Sequence, residues 1–136
     1  MRLSVIGGST VDKNTYEIAR KVGQYLGKSG HDVICGGSSG VMKGVGEGMN
    51  ETGGQTIGIL PDSDPAAANE YIDVPIGTGM GNARNVVVVL NGDGVIAIDG
   101  AMGTLSEIAH ALDLGKPVAG INTHDVPGVQ TVNSPR

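Results

Sequence analysis

Residues 95–107 of the chain, Val-Ile-Ala-Ile-Asp-Gly-Ala-Met-Gly-Thr-Leu-Ser-Glu, pass from four aliphatic residues through glycines straight into a helical pattern. A buried strand that feeds a helix through so short a turn leaves the first N–H groups of that helix unpaired. The helix dipole adds positive potential at the same point, so the turn suits an anion. Thr104 and Glu107 bring a hydroxyl and an acid there. Two further aliphatic runs end alike. Leu3-Ser4-Val5-Ile6 closes in Gly7-Gly8-Ser9-Thr10, and His31-Asp32-Val33-Ile34-Cys35 closes in Gly36-Gly37-Ser38-Ser39-Gly40. Strands alternating with helical segments predict an open parallel sheet. Ligands bind beyond the carboxyl ends of such strands, where the loops at 7–9, 36–40 and 100–103 are expected to converge.

The 24 glycines sit mainly at the ends of aliphatic runs, which assigns them to loops and not to disorder. A length of 136 residues fits a single domain over 1–136. The core has no Phe or Trp, and small branched side chains suit strands covered on both faces. The net charge of −5, the absence of a basic run and 2% aromatics argue against nucleic acid as a partner. A small phosphate-bearing ligand stays compatible, because backbone dipoles act locally. A single cysteine, Cys35, excludes an internal disulfide and fits a reducing, cytoplasmic location. It falls at a strand end, where burial is expected. No apolar run approaches membrane length and no signal-peptide pattern precedes the first strand, so no membrane partner is expected.

Along the chain, Ile18, Ala19, Val22 and Leu26 predict a first helix, with Asn14 as N-cap and Glu17 completing a capping box. A second helix turns Val41, Met42, Val45 and Met49 inward. Thr56 to Leu60 reads as strand three and Tyr71 to Val74 as strand four. Val86 to Leu90 favours a strand by propensity. Another strand begins four residues later, however, so the alternation predicts a buried helix over 82–90. Thr104 to Leu114 reads as a helix with Leu105, Ile108, Ala109 and Leu112 as its apolar stripe. Val118 to Ile121 reads as strand six. Ser134-Pro135 reads as the start of a further helix cut off at Arg136. The order amounts to a Rossmann-like three-layer α/β/α fold.

Known ligand motifs are mostly excluded. No G-x-G-x-x-G follows the first strand, and no acid ends the second, which removes a dinucleotide site. Lys43 has no P-loop frame. Residues 36–40 match G-x-S-x-G, but two serines among glycines read better as donors around a ligand than as a nucleophile elbow. His31, His110 and His124 are scattered, so no metal site is expected. Glu107 has two readings: a capping box with Thr104, or an acid facing the ligand beside Arg84. Arg84 is the only arginine between Arg20 and Arg136, and it opens a helix where a positive charge opposes the dipole. Candidate ligand-binding residues are thus Gly7, Gly8, Ser9, Gly36, Gly37, Ser38, Ser39, Gly40, Met42, Asn85, Gly100, Gly103 and Thr104, with Glu107 and Arg84 as the chemical pair.

The order Gly36-Gly37-Ser38-Ser39-Gly40-Val41-Met42, Gly58-Ile59-Leu60-Pro61, Ala83-Arg84-Asn85 and Gly100-Ala101-Met102-Gly103-Thr104-Leu105-Ser106-Glu107 resembles the Lonely-guy-type family, long labelled lysine decarboxylase-like. Characterised members hydrolyse cytokinin nucleoside monophosphates to free base and ribose 5-phosphate. A short neighbouring branch of the fold includes molybdenum-cofactor carrier proteins. The resemblance implies a nucleotide or molybdopterin-type ligand with no required cofactor. It also implies a homodimer, and either phosphoribohydrolase activity through Glu107 and Arg84 or a carrier role. Three positions depart from the enzymes' pattern: Asp99 stands for proline, Ala101 for glycine, and Asn85 for the lysine after the arginine.

Overall fold

The computed structural model describes residues 1–133, so the helix start expected at Ser134-Pro135 lies outside the described residues. Among the described residues, seven parallel strands form one open sheet. They are β1 (Arg2–Gly7), β2 (Asp32–Cys35), β3 (Thr56–Leu60), β4 (Val74–Gly77), β5 (Gly94–Ile98), β6 (Val118–Ile121) and β7 (Val129–Thr131). Their order is β4-β3-β2-β1-β5-β6-β7, with β1 central. Each strand pair is parallel. The chain reverses its direction of growth between β1 and β5, which opens a crevice at their carboxyl ends.

Helices cover both faces. Adjacent strand residues point to opposite sides, so Val5 and Ile6, or Val33 and Ile34, belong to two separate cores. On one side α1 (Lys13–Lys28) and α2 (Val41–Glu51) pack through Ala19, Val22, Val41, Met42, Val45 and Met49. On the other, α3 (Arg84–Asn91) and α4 (Met102–Asp113) pack through Val88, Val89, Ile108 and Ala111. Among the described residues, no helix is long and apolar enough to cross a membrane.

Four local expectations are corrected. The first helix is capped by Asp12, whose carboxylate accepts the Thr15 N–H at 2.8 Å, so Asn14 lies inside it. Glu17 reaches along the helix to Arg20 instead of back to a cap. The fourth strand starts at Val74, because Tyr71 and Ile72 are spent packing against Gly46 and Gly58 while Asp73 ties to Thr56 by its backbone N–H and its carboxylate. Helix α4 begins at Met102. Its buried face is Thr104, Glu107, Ile108 and Ala111, whereas Ala109 is exposed. A seventh strand, absent from the sequence reading, follows a short connection over 122–128.

The disputed segment after residue 82 is helical. Tertiary burial of Val88 and Val89 overrides strand propensity there. The Ser4 hydroxyl donates to the Val88 carbonyl at 2.7 Å. Lys116 closes the other end: its ammonium donates to the carbonyls of Val89 (2.9 Å), Leu90 (2.5 Å) and Gly92 (2.5 Å). These are the carbonyls a helix C-terminus leaves unpaired.

Candidate functional site

The glycine loops meet at the carboxyl ends of β1, β2 and β5. The Val41 N–H donates to the Gly8 carbonyl at 3.0 Å, and the Ser39 hydroxyl donates to the Ser9 carbonyl at 2.8 Å. A methyl group on Gly7 would lie 2.2 Å from the Ile98 carbonyl, and one on Gly40 would lie 2.2 Å from that of Gly8. Only residues without side chains allow backbones this close. The third loop approaches from the opposite side, with an Asp99 carboxylate oxygen 3.4 Å from where a Gly8 methyl would stand.

A cavity of about 170 Å³ opens between these loops. Of the residues expected to bind a ligand, Gly7, Ser9, Gly36, Met42, Asn85, Gly103 and Thr104 line it, together with Arg84 and Glu107. Gly8, Gly37, Ser38, Ser39, Gly40 and Gly100 do not line it; they belong to the loops that frame it. Gly37 and Ser38, for instance, present their carbonyls to Asn69, whose amide donates to Ser38 O at 2.6 Å. Val5, Ile6, Asn82 and Ala101 also line the cavity and were not anticipated. Asn82 carried a signal, being the first polar residue of the 82–85 stretch. Val5 and Ile6 carried none, because a strand end meets a cavity only through tertiary position.

The capping-box reading of Glu107 is overturned. Ala101 is the N-cap of α4 and makes no side-chain cap bond, so Thr104 and Glu107 sit inside the helix, about one turn apart on its buried face. Glu107 is 6% exposed, Thr104 3% and Asn85 7%. None of these three side chains has a hydrogen-bond partner among the described residues. Burial pushes the Glu107 carboxyl up to about 8, against the opposing pull of the Arg84 charge. It is therefore mostly protonated at pH 7.

Arg84 follows a single 3₁₀ turn (Gly81–Ala83) and opens α3. Its guanidinium lies over Gly36, where a methyl group would stand 2.0 Å from Nη1. Arg84 Nε is buried without a hydrogen-bond partner. The ion pairs of the described residues involve Arg20 and Lys43, so Arg84 and Glu107 share a cavity without forming a contact pair. Cys35, buried just below, has its thiol pushed up to about 11 by burial, which leaves it inert at neutral pH. Among the described residues, no group of histidine, cysteine and acids could hold a metal ion.

A model described as the SLOG cluster4 family matches residues 1–135. The chain belongs to the SLOG cluster4 family. It is 42% identical to an uncharacterized protein of Archaeoglobus fulgidus over 121 residues, which span 89% of this chain and 80% of the relative. It is 30% identical to a probable cytokinin riboside 5′-monophosphate phosphoribohydrolase of Oryza sativa subsp. japonica, over 78% of this chain and 45% of the rice protein. The chain thus spans under half of that relative. Among solved structures, the molybdenum cofactor binding protein of Rippkaea orientalis superposes with a TM-score of 0.92 at 34% identity, covering 98% of this chain and 90% of that one. These likenesses place the chain in a Lonely-guy/SLOG-type, Rossmann-like family near the molybdenum-cofactor carriers. The three-layer architecture agrees with that placement.

Proposed function

We propose that the cavity binds a phosphate-bearing, nucleotide-like ligand. One observation carries this reading. Asn85, Thr104 and Glu107 are more than nine-tenths buried, line one cavity and have no hydrogen-bond partners within the described residues. Their polar atoms open onto the cavity and find no partner in the protein, so they stand free to bond a guest that replaces solvent there, and Arg84 Nε beside them is buried without a partner. Arg84 and the free N–H groups at the start of α4 supply the positive potential for a phosphate. Glu107, protonated at pH 7, both donates and accepts, which matches a sugar hydroxyl.

The test is calorimetric titration with adenosine and guanosine 5′-monophosphates and with the parent nucleosides. The monophosphates bind and the nucleosides do not. Arg84→Ala and Thr104→Val each weaken binding about tenfold or more, the size of a lost charge-assisted or buried hydrogen bond. Equal binding of nucleoside and nucleotide overturns the reading. A molybdopterin-type ligand is the second probe, supported by the likeness to the Rippkaea orientalis protein. Light scattering reads the homodimer that the family resemblance implies.

A specific observation also favours hydrolysis of the N-glycosidic bond. A carboxyl held near 8 still carries its proton at neutral pH, as a general acid must. The rice relative supports the same chemistry. Chromatographic detection of free base from the bound monophosphates separates an enzyme, silenced by Glu107→Gln, from a carrier that binds without turnover.

A further inference from the structure

Two non-glycine residues adopt left-handed backbone among the described residues, Asp99 (φ 54°) and Asn122 (φ 50°). They follow directly on adjacent strands, β5 and β6, whose ends pair as Ile98 and Ile121. Such conformations cost free energy and persist only where the surroundings impose them. Here three hydrogen bonds do so. The Asp99 N–H donates to the Ile121 carbonyl at 3.1 Å. The Thr123 hydroxyl donates to the Asp99 carbonyl at 2.7 Å. His124 Nε2 lies 2.9 Å from the Ala101 carbonyl, which can only accept, so that nitrogen carries the proton.

Ala101 is the N-cap of α4 and lines the cavity, and its carbonyl also accepts the Leu105 N–H at 3.0 Å. The direction of the first α4 amides therefore depends on where this one peptide is held. The left-handed turn at Asn122 aims Thr123 and His124 back at the β5–α4 turn. The Thr123 methyl sits over Gly120, where a glycine methyl would stand 2.6 Å from it, so the hydroxyl has little freedom to turn away. The 122–128 connection is itself tied down on the α4 side by Gly128 against Leu112.

We infer that Thr123 and His124 are positioning residues: they clamp the Asp99–Ala101 turn and thereby aim the α4 amides at the anion. Neither lines the cavity. This inference rests on the proposed phosphate seat for its effect on binding, but the clamp itself is measurable without ligand.

The experiment uses the intact chain and four variants. Thr123→Val keeps the methyl over Gly120 and removes the donor. His124→Leu removes the second donor. His124→Gln restores an N–H within reach of the Ala101 carbonyl, and Thr123→Ser restores the hydroxyl. Two readouts are taken. In the free protein, ¹⁵N relaxation dispersion at Gly100 to Thr104 shows new millisecond exchange in Thr123→Val and His124→Leu, and not in the Ser and Gln variants. With adenosine 5′-monophosphate as probe, the Val and Leu variants bind about tenfold more weakly, and the Ser and Gln variants recover to within about threefold of wild type. A turn as quiet in Thr123→Val and His124→Leu as in wild type overturns the clamp, whatever the ligand does. New exchange combined with unchanged binding overturns the link from clamp to seat. Absence of wild-type binding overturns the proposed phosphate seat and leaves the relaxation result to decide the clamp.

Discussion

Replacing Glu107 with glutamine should make the protein more stable, and only at neutral to alkaline pH. The carboxyl ordinarily titrates near 4.5 in the unfolded chain and is held up to about 8 in the fold, chiefly because it is buried. Between those values the folded state binds a proton that the unfolded state has released. Stability then falls as pH rises, by about 1.4 kcal/mol per unit. Taken across the window from 4.5 to about 8, the ceiling is about 5 kcal/mol. Water entering the open cavity reduces this, so a difference of about 2–3 kcal/mol is the expected reading. Glutamine has nearly the same shape and no charge to desolvate. Urea unfolding followed by circular dichroism, on ligand-free wild type and Glu107→Gln at pH 5 and at pH 8.5, gives the two differences. Near pH 5 the proteins should differ little. At pH 8.5 the variant should be the more stable. Parallel behaviour at both pH values would refute the claim that burial holds this carboxyl in its protonated form.

Other substitutions test neighbouring features. Gly36→Ala places a methyl 2.0 Å from Arg84 Nη1 and 2.6 Å from Met42 Sδ, both ends of flexible side chains. It should expel the guanidinium and weaken nucleotide binding at least about tenfold while changing the melting temperature little, as titration and thermal denaturation will read. Gly48→Ala is the opposite case. Its methyl would stand 1.9 Å from the Arg20 carbonyl, a backbone atom, so α1 and α2 must separate, at a cost of about 3 kcal/mol by urea unfolding. Lys116→Met removes the donor to three α3 carbonyls and should cost about 1–2 kcal/mol in the same assay, with binding unaffected.

The sheet, its alternation with helices and the meeting of three glycine loops were legible because hydrophobic period and turn chemistry are local properties of the chain. Val5-Ile6 and Val33-Ile34 announce strands covered on both faces wherever they stand. Arg84 and Glu107 stood out as an isolated cation and an acid beside glycine turns, and the structure brings both to one cavity. What Glu107 does there was not legible. A capping box and a buried acid share the same four-residue spelling, and the choice turned on where α4 begins. The backbone at Ala101 decided that start, and the β6–β7 connection pins that backbone from twenty-odd residues further along the chain. The same remoteness hid β7 and misplaced β4. The β-rich Tyr71-Ile72 was claimed by packing against Gly46 and Gly58, and the strand moved on to the next residues able to pair with β3. Sequence determined which segments are strands and helices, because that follows from side-chain periodicity within a dozen residues. Tertiary structure decided which polar groups were drawn out of bulk water to the wall of a cavity without a protein partner, because desolvation depends on everything that packs around a group and not on its neighbours in the chain.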